Sequence, residues 1–344
     1  MAQLKVNIAC WDYDRTRAIY DGRVKAEGME INFIPVWVEE TFTRMLRNKE
    51  FDASEMSLSA YTSSLFTEDH PFIALPVFPS RMFRHRSIFI NTDSGVSEPK
   101  DLVGKRVGVH RYRHTASVWI RGILAEFYGV PLSSVTYYTG GLESPEEESK
   151  FWNLPSAKEA PLKSGIKIQQ IGEDKSLSSM LEQGEIAALY SARNPSSFTK
   201  KAKSVGRLFP DFPKGEMDYY AKTKIFPIMH TLVIRRDLYE SNPWMAVSLL
   251  KAFTEAKELA YKALRQSGAL RYMLPWLPAE VEQASQLMGA DYWPYGFKEN
   301  YQTLSTFLRY SYEQGLSERL LKPEELFAKE TLDPYMKDEF SPTL

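Results

Sequence analysis

Basic and imidazole side chains are spread unevenly along this sequence. Between Asp101 and Glu126 stand Lys105, Arg106, Arg111, Arg113 and Arg121 with no acid among them, although the whole chain carries a formal charge of only -1. Such a local excess asks for an anion, and guanidinium matches carboxylate through a two-point fork. Arg81 and Arg113 are the first choices for binding an anion, with Arg84, Arg111 and Arg193 behind them. Histidine alone has an unperturbed pKa near neutrality. His85, His110, His114 and His230 are therefore the candidates for proton transfer, whereas His70, within Glu68-Asp69-His70-Pro71, reads as a loop residue. Asp12, Asp14 and Glu55 are the acids placed to orient a histidine, although helix capping is the stronger reading of Asp14. His110 and His114 have a spacing that two metal ligands on one helical face would share, but the helix starts after them and no third ligand is evident, so no metal is assigned. No dinucleotide or Walker-type glycine loop and no nucleophile elbow is present.

The elements that must hold these groups alternate. Leu4, Val6 and Ile8 interleave with Lys5 and Asn7 as a strand, and a second strand spans 30–36. Phe42, Met45 and Leu46 stripe a helix, and 51–59 reads as a strand entering a helix, with Glu55, Ser57 and Ser59 at the junction. Strands follow at 72–78, closed by Pro79-Ser80-Arg81, and at 87–91. Another runs from Lys105 to Val109, and from Thr115 a helix is marked by Val118, Trp119, Ile123, Leu124 and Phe127, with Gly129 to end it. Its amino end points at the loop His110 to His114, where unpaired backbone N–H groups and the helix dipole favour an anion. Thr115, Ser57 and Tyr190 join the arginines as substrate-binding candidates, Tyr190 closing a strand just before Ser191-Ala192-Arg193. The acidic run Glu143, Glu146, Glu147 and Glu148 reads as a solvated loop, 166–171 and 228–234 as strands, and 209–214 as irregular. From Trp244 onward the chain is helical, with patterns at 246–267, 279–288 and 301–314. Alternation of this kind predicts an α/β protein with mostly parallel sheets, which bind ligands at the carboxyl ends of their strands.

At 344 residues the chain predicts about two domains. Nearly cancelling charges exclude a global field that would favour nucleic acid or a membrane surface. A single cysteine, Cys10, excludes an internal disulfide framework. The opening residues lack a basic segment followed by a signal-length apolar run, and no apolar run is long enough to cross a membrane. The expectation is a soluble, cytoplasmic protein, with the helical C-terminal third and its tyrosines Tyr310 and Tyr312 offering a surface for a homo-oligomer.

A first α/β lobe, two crossings and an inserted second lobe are similar to the periplasmic-binding-protein type II fold. Turn composition from Asp93 to Pro99 and the stretch at Arg193 mark the crossings, which predicts a discontinuous lobe of residues 1–92 and 194–344 and an inserted lobe of 93–193. More specifically, Asp12-Tyr-Asp14, Phe51-Asp-Ala-Ser-Glu-Met-Ser-Leu-Ser59 and Ile73-Ala-Leu-Pro-Val-Phe-Pro-Ser-Arg-Met-Phe-Arg-His85 resemble the 4,5-dihydroxyphthalate decarboxylase family. So do Phe226-Pro-Ile-Met-His230, Tyr292-Trp-Pro-Tyr-Gly296 and Tyr310-Ser-Tyr-Glu-Gln-Gly315, and the resemblance covers nearly the whole chain. It implies a substrate cleft between two closing lobes and a carboxy-lyase of aromatic-acid, phthalate breakdown. Where the family reads closer to Pro-Glu-Tyr-Gln-x-Thr-Ala, this chain has His110-Arg-Tyr-Arg-His-Thr-Ala116, so membership leaves the exact acid open.

The chemistry implied is demanding because the electron pair left by carbon dioxide needs a destination. A hydroxyl para to the carboxylate supplies one: once deprotonated, it enriches the carboxylated carbon, which takes a proton before carbon dioxide departs. That requires a cationic clamp, an acceptor for the phenol and an acid for the ring carbon, and no cofactor. His85, His114 and His230, with Asp12 and Glu55, are the catalytic candidates. The partner is a small aromatic carboxylate, most simply 4,5-dihydroxyphthalate going to protocatechuate. A non-catalytic module that closes on an aromatic acid, or a decarboxylase of another hydroxybenzoate-type acid, are the alternatives.

Overall fold

A computed structural model describes residues 3–144 and 165–332. Glu146, Glu147 and Glu148 of the expected acidic loop lie outside the described residues. The strands are β1 (Leu4–Ala9), β2 (Met29–Ile34), β3 (Ala53–Ser57), β4 (Phe72–Arg81), β5 (Ile88–Asn91), β6 (Arg106–Val109), β7 (Thr136–Thr139), β8 (Lys167–Gln170), β9 (Ala188–Tyr190), β10 (Val205–Arg207) and β11 (Ile228–Arg235). They form two mixed sheets, ordered β2-β1-β3-β11-β4 and β10-β5-β9-β6-β7-β8. Parallel pairs dominate, as the alternating pattern predicts, but β11 runs antiparallel to β3, and β5 runs antiparallel to both β9 and β10.

The chain divides into two compact units. Unit 1 comprises Met1–Arg81, His230–Ser305 and Lys322–Leu344, and unit 2 comprises Met82–Met229 and Thr306–Leu321. The predicted boundaries at 92/93 and 193/194 are therefore corrected: Asp93 to Pro99 and Arg193 both lie inside unit 2, and the chain passes between the units four times. Pairing explains the shift. β5 and β10, placed in the first lobe by the predicted boundaries, belong to the second sheet, where β5 pairs with β9 on one side and with β10 on the other.

In unit 1, β1 pairs in parallel with β2 from Leu4↔Met29 to Ala9↔Ile34, and with β3 on its other side. Because β11 is antiparallel to β3, with His230 opposite Ser57 and Leu232 opposite Glu55, its amino end meets the carboxyl ends of β1, β2 and β3. β4 continues through Pro79 to Arg81, longer than predicted; as an edge strand it tolerates Pro76 and Pro79, whose missing N–H groups an inner strand would need. The first helix, Asp14–Tyr20, takes Tyr13 rather than Asp14 as its N-cap. The long helix Trp244–Leu264 buries Met245, Leu249, Phe253 and Ala256.

In unit 2, helix Thr115–Glu126 is almost wholly buried from Thr115 to Leu124. Trp119 packs 5.6 Å from Phe307 and 5.7 Å from Tyr310, and its indole N–H donates to the Ile228 carbonyl at 2.9 Å. Gly122 is required there, since a Cβ would fall on the Tyr310 ring. The segment expected to be irregular instead starts helix Phe212–Thr223, with the Asp211 side chain accepting from Lys214 N and Pro213 in the first turn, a position where its absent N–H costs nothing. Among the described residues no helix is long and apolar enough to cross a membrane.

Candidate functional site

Where the strand ends of unit 1 converge, a buried acid meets a histidine. Glu55 has no exposed surface, yet four donors reach its carboxylate. Its Oε1 accepts from the Tyr13 hydroxyl at 2.7 Å and from His230 Nδ1 at 2.6 Å; its Oε2 accepts from Trp11 N at 3.2 Å and from Cys10 Sγ at 3.5 Å. The sheet register makes the pair: His230 faces Ser57 directly, and Glu55, two residues back on the same face, is its diagonal neighbour. Burial alone would raise the Glu55 carboxyl, but the adjacent imidazole and the donated hydrogen bonds outweigh it and hold the group below the usual carboxylate range. A carboxylate can only accept, so His230 Nδ1 carries the proton and Nε2 is the nitrogen left to exchange one. Burial, then Glu55, pushes the Cys10 thiol and the Tyr13 phenol up, so both keep their protons.

Around this pair stand aromatic side chains. Trp11 lies edge-on to Tyr13 at 5.0 Å and to Trp37 at 4.9 Å, and both tryptophans are exposed. His230 is edge-on to Phe42 at 4.9 Å. Arg15, which no motif in the sequence marks, has its Cζ 4.1 Å from the Tyr13 ring centre and 4.2 Å from that of Trp293. No composition cue marks it, because its surroundings come from Pro79 and Trp293, far along the chain. Among the described residues no three His, Cys, Asp or Glu side chains gather as a metal-binding group.

The basic segment that dominates the sequence belongs to unit 2, where its charges disperse. Arg121 is fully buried, stacked 3.7 Å over Tyr112 and donating to the Tyr112 carbonyl at 2.7 Å and to Gln314 Oε1 at 2.8 Å, which makes it a core brace. Lys105 Nζ donates to the Ser94 carbonyl at 3.0 Å. Arg111 is buried with φ of 60°, a left-handed conformation that a non-glycine residue adopts at a cost. Arg113 and His114 are half-buried ahead of Thr115, which is buried at the helix start, and His114 is its N-cap. Arg193 Nη2 lies 3.2 Å from His110 Nε2, and since guanidinium only donates, the imidazole nitrogen is the acceptor in that contact. Tyr190, on β9, is wholly buried, and burial raises its phenol.

No family model matches the sequence. Two curated proteins do. One, a 4,5-dihydroxyphthalate decarboxylase from Comamonas testosteroni, is 38% identical over 335 residues, covering 97% of this chain and 99% of the relative. The other, of the same name from Pseudomonas putida, is 38% identical over 221 residues, 64% of this chain and 83% of the relative. The chain belongs to the 4,5-dihydroxyphthalate decarboxylase family. Its fold is that of the periplasmic binding proteins: the sulfonate-binding protein SsuA from Methylobacillus flagellatus superposes with a TM-score of 0.56 at 12% identity, covering 99% of this chain and 98% of that one.

The family motifs contain both kinds of histidine. Glu55 and His230 meet, whereas His85, proposed from sequence as an acid–base residue, sits in a cage of Tyr128, Phe209 and Tyr219 with ring centres 5.7, 5.0 and 5.5 Å away. Both ring nitrogens of His85 are buried without a hydrogen-bond partner, and burial pushes its pKa down to about 4. In this structure His85 is a neutral core side chain with no nitrogen open to a ligand, which corrects the catalytic reading. Arg81 Nη2 donates to the Pro294 carbonyl at 2.7 Å and to Asn300 Oδ1, tying that guanidinium to its own unit. Arg84 is buried with Nε and Nη2 3.2 and 2.8 Å from Met229 Sδ, and burial pulls its pKa down to about 10. Asp12 pairs with Arg17 and faces a cavity of about 520 Å³ that Asp14, Arg23, Ala260 and Tyr272 also line; among the described residues no hydrogen bond joins it to Glu55 or His230.

Proposed function

We propose that this protein decarboxylates 4,5-dihydroxyphthalate to 3,4-dihydroxybenzoate without an added cofactor, and that His230 and Glu55 carry the proton transfer. One observation supports the assignment of these residues above the others: a wholly buried carboxylate holds the inner nitrogen of a half-buried histidine at 2.6 Å, where parallel strands end. The names of the two relatives support the substrate.

Each carboxylate of this substrate has a para hydroxyl. Once the phenol has given its proton to solvent, electron density flows from the phenolate to the carboxylated carbon, which takes a proton from protonated His230 Nε2; the product phenolate recovers a proton from solvent. The carbon–carbon bond to the carboxylate then breaks, its electron pair restores the aromatic ring, and carbon dioxide leaves. Glu55 stabilises the imidazolium before transfer and fixes the ring orientation throughout. Exposed Trp11 and Trp37 offer faces on which an aromatic substrate stacks.

The test is release of carbon dioxide and 3,4-dihydroxybenzoate from a panel of hydroxylated aromatic acids. His230→Gln is expected to lower kcat on the order of a hundredfold or more with the fold intact, and Glu55→Gln to lower it by about tenfold to a hundredfold. Full activity of His230→Gln sinks the assignment of that residue. Tight binding of the acids with no conversion by the unaltered protein indicates a non-catalytic binding module.

A further inference from the structure

Arg15 has a role that neither composition nor family membership assigns. Its Nε donates to the Pro79 carbonyl at 2.6 Å and its Nη1 to Asp14 Oδ1 at 2.9 Å, while the plane is sandwiched between Tyr13 and Trp293. Nη2 makes no hydrogen bond among the described residues. The upper wall of the sandwich is itself braced. Trp293 N donates to the Tyr261 hydroxyl at 2.7 Å and its indole N–H to the Phe78 carbonyl at 2.9 Å. The Tyr261 hydroxyl donates in turn to Asp291 Oδ1 at 2.9 Å, and Lys257, 5% exposed, grips the same carboxylate at 2.8 and 2.9 Å. A guanidinium held this firmly on four sides, 16% exposed and with one nitrogen not used in a hydrogen bond among the described residues, is preorganised for an anion, since little freedom is left to lose on binding.

Its place in the site says which anion. The Tyr13 ring under Arg15 carries the hydroxyl that donates to Glu55 Oε1, the oxygen that His230 also reaches. Arg15 is thus one aromatic ring away from the proton-transfer pair. On the reading above the substrate bears two adjacent carboxylates, only one of which departs. A cation on the departing group would lose its partner as neutral carbon dioxide forms and would stabilise the ground state more than the transition state. The geometry points to Arg15 Nη2 as the group that binds the carboxylate retained on the ring, setting which carboxylate faces His230 and favouring ortho-dicarboxylates over monocarboxylates. This rests on the decarboxylase reading for its substrate but not for its test.

Calorimetry with two ligands of one shape, 3,4-dihydroxybenzoate and the neutral 3,4-dihydroxybenzamide, separates binding from turnover. The unaltered protein is expected to prefer the acid by about tenfold or more, and Arg15→Gln to bring that ratio near one while the benzamide affinity stays unchanged. Arg15→Lys should keep part of the preference, and in both variants KM for 4,5-dihydroxyphthalate should rise more than kcat falls. Equal loss of both ligands with a lowered melting temperature, an unchanged ratio, or no preference in the unaltered protein overturns the proposal. If the preference depends on Arg15 but no acid is turned over, the decarboxylase reading fails and the carboxylate site stands. If turnover is normal and the ratio ignores Arg15, only the carboxylate site fails.

Discussion

His85 and His230 are separated by what surrounds them rather than by type. His230 has a carboxylate on one nitrogen, while His85 has three aromatic rings and no partner on either. Beside His85, Glu216 accepts from Arg86 N at 3.3 Å, and burial pushes its carboxyl up to about 7. The two groups pull stability in opposite directions. With His85 depressed to about 4, the unfolded chain binds more protons between about pH 4 and 6.5, so this residue makes stability rise with pH there. With Glu216 raised to about 7, the folded chain binds more protons between about pH 4.5 and 7, so its contribution is present at low pH and lost as pH rises. Relative to the unaltered protein, Glu216→Gln should steepen the rise of stability with pH and His85→Phe should flatten or invert it, each by at most about 1.4 kcal/mol per pH unit. Urea unfolding at half-unit steps from pH 4 to 7 reads both slopes, and coincident profiles for all three proteins contradict this account.

At the scale of elements, helix Thr115–Glu126 shows packing overruling propensity. Alanine is a better helix former than glycine by about 1 kcal/mol, yet at Gly122 a methyl group would meet the Tyr310 ring, whose hydroxyl is bonded to Glu126 and so resists withdrawal. Overpacking typically costs about 1–3 kcal/mol, so Gly122→Ala should lower stability by about 1–2 kcal/mol net, and adding Tyr310→Leu should recover part of it. A stabilised Gly122→Ala in thermal unfolding would contradict this. The same helix was legible in the sequence, as were β1, β6 and β11, because their apolar spacing is local. β7 and β10 were not, since strands of four and three residues owe their existence to neighbours in the sheet. Glu55 was legible as a candidate from the polar stretch where a strand runs into a helix, and His230 as a histidine in a family-like motif, but the pairing depends on a register between segments far apart in sequence. Arg15 was illegible for the same reason: nothing near it in sequence announces Trp293.

For the whole molecule, the decisive fact is how often the chain changes units. Thr306–Leu321 supplies unit 2 with Phe307, Tyr310 and Gln314, against which Trp119 and Arg121 are buried. The chain then returns to unit 1, where Ala328 N donates to the Ala74 carbonyl at 3.0 Å and the Leu326 carbonyl accepts from the buried Tyr61. A chain stopped after Ser305 therefore strips both cores. It is expected to lose cooperative thermal unfolding and the near-ultraviolet circular dichroism of packed aromatic rings, and retention of both would contradict this dependence.

The same threading governs what happens on the ribosome. Domains with contiguous sequence finish folding as they emerge, amino-terminal first. Here unit 1 lacks β11 until past residue 235, and neither unit has its last buried segment until after residue 305. The nascent chain must carry two unfinished cores through most of its synthesis, with apolar strands such as β4 waiting for partners. Translation halted before the final tenth therefore leaves neither unit with its complete core.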